Sequence, residues 1–386
     1  MAEPIIPSLL DTDLYKLTMM QCIMHQFPNT IVEYRFKSRK AVNLKPYCAA
    51  IQLEINRLCQ LKFSDSELHY LSTLSFFKAD FIDFLSTFSL QEKHVHLDAQ
   101  EEFTVVIKGP WVATILFEVP LLAIISEVYY RENYPNENFT LAKEKLITKI
   151  AEVKDYPELR FSDFGTRRRF SKQWQETVIQ TLHQSLPEAF IGTSNIYFAK
   201  AFNLQPIGTM AHEYLQACQI LAPHIQGSQA FALRAWLTEY PHDLSIALTD
   251  VLTMDVFLTE FDKTLAQRFQ GLRQDSGDPI EWGNKALRHY QHLGIDAREK
   301  TFVFSDSLTI SKAIGIAKYF THKCHTVFGI GTHLTNDVGH PSLDIVIKMT
   351  HTNQQPVIKV SDSKGKMVCE NPYLYQSVKE IFKLKD

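Results

Sequence analysis

The sequence predicts an α/β protein: an irregular, parallel α/β barrel of the TIM type with about seven strand–helix units and a smaller α/β domain at its N-terminus. Two observations predict this class. From about Arg160 onward, short apolar or β-branched runs end in small and polar residues, and each run is followed by an amphipathic helical pattern. The first third of the chain instead mixes helical and alternating patterns, which indicates a separate α/β layer.

The N-terminal elements follow from local periodicity. Apolar residues recur at helical spacing over 14–27, after the cap-like Asp11-Thr12-Asp13, and alternate with polar ones over 32–36 as in a strand. Further strand-like runs lie within 94–108. These patterns predict a small mixed layer of helices and strands.

The same patterns predict the division into domains. We expect an N-terminal α/β domain over residues 1–130 and a catalytic α/β barrel over 131–340. Residues 343–349 and 356–360 look like strands, so 340–386 are expected to return to the smaller domain.

The predicted barrel strands end in polar residues, which in a barrel would converge on one face. The run ends are 161–165, 191–194, 207–209, 248–250, 272–276, 304–307 and 328–332. Ser, Thr and Asp are also the residues preferred at helix N-caps, so any single run end is open to that simpler explanation. The recurrence of the pattern favours an active-site rim.

Composition excludes several classes of protein. The chain of 386 residues is 45% apolar, carries a formal charge of -3 and has a pI near 6.6, which does not suggest nucleic acid or an anionic membrane as a bulk partner. Its six cysteines are scattered, as in a protein with reduced thiols, and no secretory signal is visible. The apolar region 111–128 is interrupted by Glu118, Pro120 and Glu127, so we expect no membrane span and a cytoplasmic protein.

Two histidine patterns are candidates for metal sites. His212-Glu213 opens a predicted helix, but the second histidine of a zinc-protease helix would fall at Gln216, which excludes that site. His94 and His96 share one face of a strand without a third ligand, so an ordinary exposed pair is favoured. No metal site formed by protein side chains is predicted.

Three further motifs suggest anion binding, each beside a simpler explanation. Gly329-Ile330-Gly331-Thr332 lacks the third glycine of a dinucleotide fingerprint and suits a phosphate monoester or a plain tight turn. Arg167-Arg168-Arg169 follows Phe164 and could hold a planar anionic ring, or could be a solvated basic run. In the segment 273–279, carboxylates could bind sugar hydroxyls or Mg²⁺ while Arg273 neutralises phosphate, or the segment could simply form a charged turn.

Taken together, these motifs resemble the nicotinate phosphoribosyltransferase family, and the match covers nearly the whole chain. The stretches that carry the resemblance are 11–16, 164–168, 192–195, 208–213, 271–279, 304–307 and 328–332. The resemblance implies an irregular α/β barrel with a small N-terminal domain. It implies transfer of phosphoribosyl from 5-phosphoribosyl 1-diphosphate to nicotinate, with Mg²⁺ as cofactor and ligase-type coupling to ATP.

The resemblance also implies roles for particular residues. His212 would be transiently phosphorylated. Arg273 would stabilise the departing diphosphate, and Asp275 would lie close to the ribose. Nicotinate would contact Tyr15, Phe164, Arg167 and Ser194. The phosphoribosyl diphosphate would contact Thr209, Thr249, Asp250, Arg273, Asp275, Asp306, Gly329, Gly331 and Thr332.

The resemblance further implies a homodimer with shared active sites, in which Tyr15 enters the partner's site. Nicotinamide-using relatives carry aspartate where this chain has Ser194, which favours nicotinate as the substrate. Whether Lys359, Lys364 and Lys366 reach a phosphate stays open.

Two rival functions remain as alternatives. A sugar-phosphate isomerase or aldolase would usually need a lysine or glutamate base at a strand end, and the seven run ends offer none. A non-catalytic anion or nucleic-acid binder would use the arginine run, and its binding would depend strongly on salt.

Overall fold

A computed structural model describes residues 3–363 and 366–384. It contains two β-sheets, one antiparallel with strand order β11-β10-β1-β3-β2 and one parallel with order β5-β4-β9-β8-β7-β6. The strands are β1 Ile31–Ser38, β2 Val95–Asp98, β3 Thr104–Pro110, β4 Phe161–Asp163, β5 Phe190–Thr193, β6 Ile246–Leu248, β7 Gly271–Gln274, β8 Thr301–Phe304, β9 His325–Ile330, β10 Ile345–Thr352 and β11 Gln355–Pro356. The predicted α/β class is confirmed.

Helices cover both sheets. They are α1 Leu14–Gln26, α2 Cys48–Cys59, α3 Asp65–Ser72, α4 Ala79–Thr87, α5 Trp111–Thr114, α6 Glu118–Asn133, α7 Thr140–Lys154, α8 Lys172–Ser185, α9 Ile196–Phe202, α10 His212–Leu221, α11 Ser228–Glu239, α12 Met254–Glu260, α13 Lys263–Arg268, α14 Pro279–His292, α15 Ile310–Phe320, α16 Thr332–Thr335 and α17 Pro372–Phe382. Most of the helices between successive parallel strands are the expected crossovers.

The antiparallel sheet joins the two ends of the chain. Strand β1 pairs on one side with β3 and on the other with β10, with Phe36 opposite Ile347. Residues near the C-terminus therefore return to the N-terminal layer, at the segment where the sequence predicts a strand. The domain boundaries themselves stay a prediction.

The parallel sheet has six described strands rather than about seven, and its ladder is open between β5 and β6. The expected strand end at 207–209 lies in this gap as irregular chain. Pro206 forms a single bridge to Thr193, and the Thr209 hydroxyl donates to Ile246 O at 3.0 Å. Since proline has no N–H for a ladder, the segment fills the gap without becoming a strand, and a closed barrel is not confirmed.

The apolar stretch of the sequence forms a core helix. Trp111–Asn133 is one helical region of 23 residues. Its most apolar window has a mean hydropathy of 1.8, and 89% of that window is buried inside the protein. The expectation that Pro120 interrupts it was wrong, because Pro120 lies in the first turn of α6, where no backbone N–H is needed. By length the region could cross a membrane, but its burial is that of a core helix. A cytoplasmic location stays a prediction.

Candidate active site

A polar pocket of about 660 Å³ opens at the carboxyl ends of the parallel strands, beneath strand β10. Ten of the residues that the sequence predicts for the site line it: Tyr15, Phe164, Arg167, Ser194, His212, Arg273, Asp275, Asp306, Gly331 and Thr332. Because the carboxyl ends of parallel strands meet at one edge, run ends far apart in sequence share this wall.

Four predicted residues lie outside the pocket wall, each with a role in the protein interior. The Thr209 and Thr249 hydroxyls donate to Ile246 O and Arg273 O, and Thr249 also accepts from the Trp282 indole at 2.9 Å. Asp250 lies behind His212 and contacts its ring. These three side chains contact neighbouring segments and do not line the pocket, and their contact with a ligand stays a prediction.

Gly329 is the fourth of these residues, and its surroundings explain why this position needs a residue without a Cβ atom. A Cβ atom added there would overlap the ring of Phe164. Gly329 therefore allows that ring to lie close against strand β9 and into the pocket, while Gly331 lines the pocket itself.

One end of the pocket, lined by Tyr15, Phe164 and Arg167 and here called the ring end, suits an anionic ring. Tyr15 and Phe164 lie in its wall with Arg167, whose Nη1 is 3.6 Å from Glu118 Oε1 and whose Nε is 4.0 Å from Asp13 Oδ2. Both ion pairs are too long for direct hydrogen bonds, and the guanidinium makes none with any described residue. Its donors are therefore available to a carboxylate ligand.

Tyr15 belongs to the pocket of its own chain. Gly208 allows this approach, since an added Cβ would lie 3.2 Å from the Tyr15 backbone nitrogen. The Tyr15 hydroxyl is buried without a hydrogen-bond partner among the described residues, and burial raises its pKa well above the usual value. The pocket thus contains a tyrosine without a second chain.

Beneath the ring end lies a buried ionic network that the sequence does not predict. The Lys16 ammonium, fully buried, pairs with Glu118 Oε2 at 2.5 Å and with Glu213. Tyr34 donates to Glu213 at 2.6 Å. Burial would raise the pKa of Glu118, but Lys16 and Arg167 lower it to about 2. Glu118 is therefore an anion and attracts the Arg167 guanidinium.

His212 is the first residue of helix α10, as the sequence predicts. Its Nε2 lies 2.9 Å from Asp250 Oδ1 and 3.5 Å from Asp275 Oδ2. Burial, with the charge of Lys359, lowers the pKa of His212 to about 4 despite the two carboxylates. The ring is neutral at pH 7, and with Nε2–H donated to Asp250 the free lone pair is on Nδ1.

Carboxylates and a guanidinium surround this histidine. Ligand atoms of His212, Asp250 and Asp275 lie within 4.8 Å of one another. Arg273 lines the pocket and donates from Nη1 to Met210 O at 3.0 Å. Ser305 donates to Asp275 Oδ1 at 2.9 Å, which fixes that carboxylate.

A group of cations also lines the pocket, and the sequence motifs largely miss it. Lys359 contacts Asp250 at 3.0 Å and Lys366 contacts Asp306 at 2.5 Å, so both lysines reach the pocket, whereas Lys364 lies outside the described residues. Lys348 on strand β10 also lines the pocket, and its ammonium has no partner among the residues that the structure describes. Burial and then Lys359 lower the pKa of Lys348 to about 8.

The sequence pattern could have identified one of these cations as a site residue. Lys348 interrupts the apolar run 345–349, and an isolated charge in a buried strand commonly faces a site. Arg39 and Lys40 follow strand β1 directly and line the mouth of the pocket. The residues around Arg39 and Lys40 in the sequence do not indicate a site, because only the pairing of β1 with β10 brings them to the pocket.

The fold and the pocket define an α/β enzyme whose site suits anionic substrates. Comparison with known proteins then identifies the group. Residues 10–126 match the model of the nicotinate phosphoribosyltransferase N-terminal domain and 159–386 that of the nicotinate phosphoribosyltransferase family. The chain belongs to this family.

Individual relatives agree along the whole chain. Nicotinate phosphoribosyltransferases of Bordetella petrii and Cupriavidus necator are each 48% identical, over 98% and 99% of this chain and 99% of their own length. The crystal structure of the nicotinate phosphoribosyltransferase from Vibrio cholerae superposes with a TM-score of 0.95 at 38% identity, covering 100% of this chain and 95% of that one. That from Porphyromonas gingivalis gives 0.93 at 33% identity, covering 98% and 100%.

Proposed function

We propose that the protein transfers a 5-phosphoribosyl group from 5-phosphoribosyl 1-diphosphate to nicotinate, giving nicotinate mononucleotide and diphosphate, and that ATP drives the reaction through a phosphohistidine. The observation that carries this proposal is the pairing, in one pocket, of a ring end built on Arg167 with a neutral His212 and a cationic wall. Family membership supports the same activity.

The ring end would hold nicotinate. The rings of Tyr15 and Phe164 offer faces for the pyridine, and the free donors of Arg167 would bind its carboxylate in a bidentate pair. Ser194 is a neutral residue, donating to Asp13 at 2.7 Å, and so does not add the negative charge that an aspartate would place at this position. Nicotinate is therefore favoured over the neutral nicotinamide.

In the transfer step, the pyridine nitrogen attacks the anomeric carbon while the bond from that carbon to the diphosphate oxygen breaks. Positive charge grows on the sugar, and the departing diphosphate gains negative charge. Arg273, Lys348 and Lys366 line the pocket where that charge would develop, and they would stabilise it electrostatically. Gly331 and Thr332, at the start of α16, would receive the 5-phosphate.

The pocket also suits Mg²⁺, which would neutralise charge on the diphosphate when bound. Mg²⁺ prefers oxygen ligands, and Asp275 and Asp306 present carboxylates in the pocket wall. Both are paired with cations or a hydroxyl that a bound ion could replace.

ATP would act through His212. Its Nδ1 would attack the γ-phosphorus of ATP, forming a P–N bond as the bond to the β-phosphate oxygen breaks and ADP leaves. Asp250 would balance the positive charge that the ring acquires, because it already accepts Nε2–H. The backbone N–H groups at the start of α10 would face the added phosphate.

A product assay tests the function. Nicotinate with 5-phosphoribosyl 1-diphosphate and Mg²⁺ should give the mononucleotide, with a higher yield when ATP is present. Nicotinamide and quinolinate, run in parallel, should give little. An active preparation that prefers either of them would overturn the substrate, and one indifferent to ATP would overturn the coupling.

We also propose that the protein forms a homodimer, although Tyr15 already lies in the pocket of its own chain. Light scattering at enzyme-assay concentration would test the dimer, and activity of a dilute monomeric fraction would show that the site is complete in one chain.

A further inference from the structure

Ser276 lies behind His212, outside the pocket wall, and connects two parts of the site. It is fully buried just after strand β7. Its hydroxyl donates to Asp250 Oδ2 at 2.7 Å, while the other oxygen of the same carboxylate faces His212 Nε2. Ser276 therefore holds the carboxylate on the side away from the histidine.

The same hydroxyl also accepts a hydrogen bond from the C-terminal part of the chain. The Asp362 backbone N–H donates to Ser276 Oγ at 3.1 Å, so the hydroxyl has both a donor and an acceptor role. One residue on, Gly277 N donates to the Ser363 hydroxyl at 2.8 Å. We call residues 357–363 the C-terminal arm, and these bonds fix it over the end of strand β7.

The arm delivers a cation to the same carboxylate. Val360 N donates to Val251 O at 2.7 Å, and next to it Lys359 places its ammonium 3.0 Å from Asp250 Oδ2. Asp250 Oδ2 thus has two partners, Ser276 and Lys359, and the position of Lys359 depends on an arm that Ser276 helps to hold. The orientation of Asp250 and the docking of the arm share one hydroxyl.

We propose that Ser276 is a positioning residue for the phosphoryl-accepting histidine: through Asp250 it holds the His212 ring with Nε2–H inward and Nδ1 free, and through the Asp362 N–H it keeps the arm closed behind that carboxylate. The inference rests on the proposed function for its catalytic consequence. The orientation of the ring itself can be measured without catalysis.

The first experiment follows the His212 Nε2–H proton by NMR on protein with ¹⁵N-labelled histidine, with His212→Gln to assign the signal. Ser276→Ala removes the hydroxyl and adds no bulk. We expect exchange of this proton with solvent to become about tenfold faster, since the bond to Asp250 loosens and the arm opens more often. Ser276→Thr, which keeps the hydroxyl, should restore slow exchange.

The second experiment measures labelling by γ-³²P ATP in a single turnover. Ser276→Ala should lower the labelling rate about tenfold, the size expected for loss of one hydrogen bond to a charged group. The fall should exceed any fall in ATP-independent transfer. Ser162→Ala is the matched control, because Ser162 is a fully buried serine on strand β4 whose hydroxyl contacts no described partner.

The outcomes separate the two proposals. Exchange in Ser276→Ala within twofold of the wild type would overturn the positioning role, as would equal losses in the Ser276 and Ser162 variants. A lower melting temperature with unchanged exchange and labelling would also overturn it, since a purely structural serine would give that result. Absence of label in the wild type would instead refute the phosphohistidine, while the NMR measurement would still decide the orientation.

Discussion

Arg169 and Asp11 form a bidentate ion pair in the protein interior, with both side chains fully buried. The two bonds measure 2.7 and 2.9 Å, and Asp11 also accepts from Asn195 at 2.7 Å. The pair joins the segment before helix α1 to the turn that follows strand β4. It fixes the N-terminal chain that carries Tyr15 onto the wall that carries Arg167.

The first prediction concerns this pair. Arg169→Met should lower the free energy of unfolding by about 3–5 kcal/mol, because Asp11 would remain buried without its cation. Urea denaturation measures this change. Arg234→Met, which removes an ion pair with Asp262 from a side chain that is 63% exposed, is the control and should change stability little. Equal losses in the two variants would contradict the prediction.

The second prediction concerns Arg167. Arg167→Met should raise the KM for nicotinate about 10- to 100-fold, because the substrate carboxylate loses a charge-assisted bidentate partner, while the KM for 5-phosphoribosyl 1-diphosphate changes little. Initial rates at varied nicotinate measure this, and the preference over nicotinamide should fall in parallel. Arg288→Met on the exposed side of α14 is the control. An unchanged KM would remove Arg167 from the nicotinate site.

Local patterns predict much of this structure. Six of the seven polar run ends follow parallel strands, because each depends only on a short apolar run and the residues just after it. His212 at the start of α10 was found in the same way. The strand predicted before the remaining run end, 207–209, does not form, because Pro206 and the strands flanking the gap, rather than the run itself, decide whether a strand forms.

Side-chain direction and distant pairing were not predictable. Thr249 and Asp250 follow a strand as expected, yet both point into the interior, because Thr249 contacts Trp282 and Asp250 contacts His212, which are distant in sequence. The pairing of Asp11 with Arg169 has no local signal, since 158 residues separate the partners. The three consecutive arginines were therefore read as one motif, whereas the structure gives each a different partner: Asp344 for Arg168, Asp11 for Arg169, and the ring end of the pocket for Arg167.

The third prediction uses the pKa of Lys348, which burial and Lys359 lower to about 8. The ammonium is protonated below pH 8 and becomes neutral as the pH rises through that value. We therefore expect the KM for 5-phosphoribosyl 1-diphosphate to rise above pH 8. Initial rates between pH 6.5 and about 9.5 measure this. Lys348→Arg, which stays protonated throughout, should flatten the rise, and a profile identical to the wild type would contradict the prediction.

The fourth prediction concerns His212. His212→Asn should abolish labelling by γ-³²P ATP, because asparagine has no nucleophilic nitrogen. Slow, ATP-independent transfer should persist, because the attacking ring and the leaving diphosphate supply the basic reaction. Acid-labile label on the wild type and its loss in the variant are the measurements. His96→Asn, on an exposed strand position, should label like the wild type, and label that survives in His212→Asn would refute this histidine as the acceptor.

The fifth prediction concerns the contact between Gly329 and Phe164. Gly329→Ala places a methyl group in the space of the Phe164 ring, so the ring must move into the pocket or strand β9 must shift. Either movement narrows the ring end, and we expect a KM for nicotinate raised about tenfold together with a loss of about 1–3 kcal/mol in the free energy of unfolding. Steady-state kinetics and urea denaturation measure the two effects.

Gly315→Ala is the matched control: it lies within helix α15, an added Cβ there meets no atom within 4 Å, and alanine should stabilise that helix by about 0.5–1 kcal/mol. If Gly329→Ala instead behaves like Gly315→Ala, the ring of Phe164 is free to move without cost, and its role as a fixed face for the substrate fails.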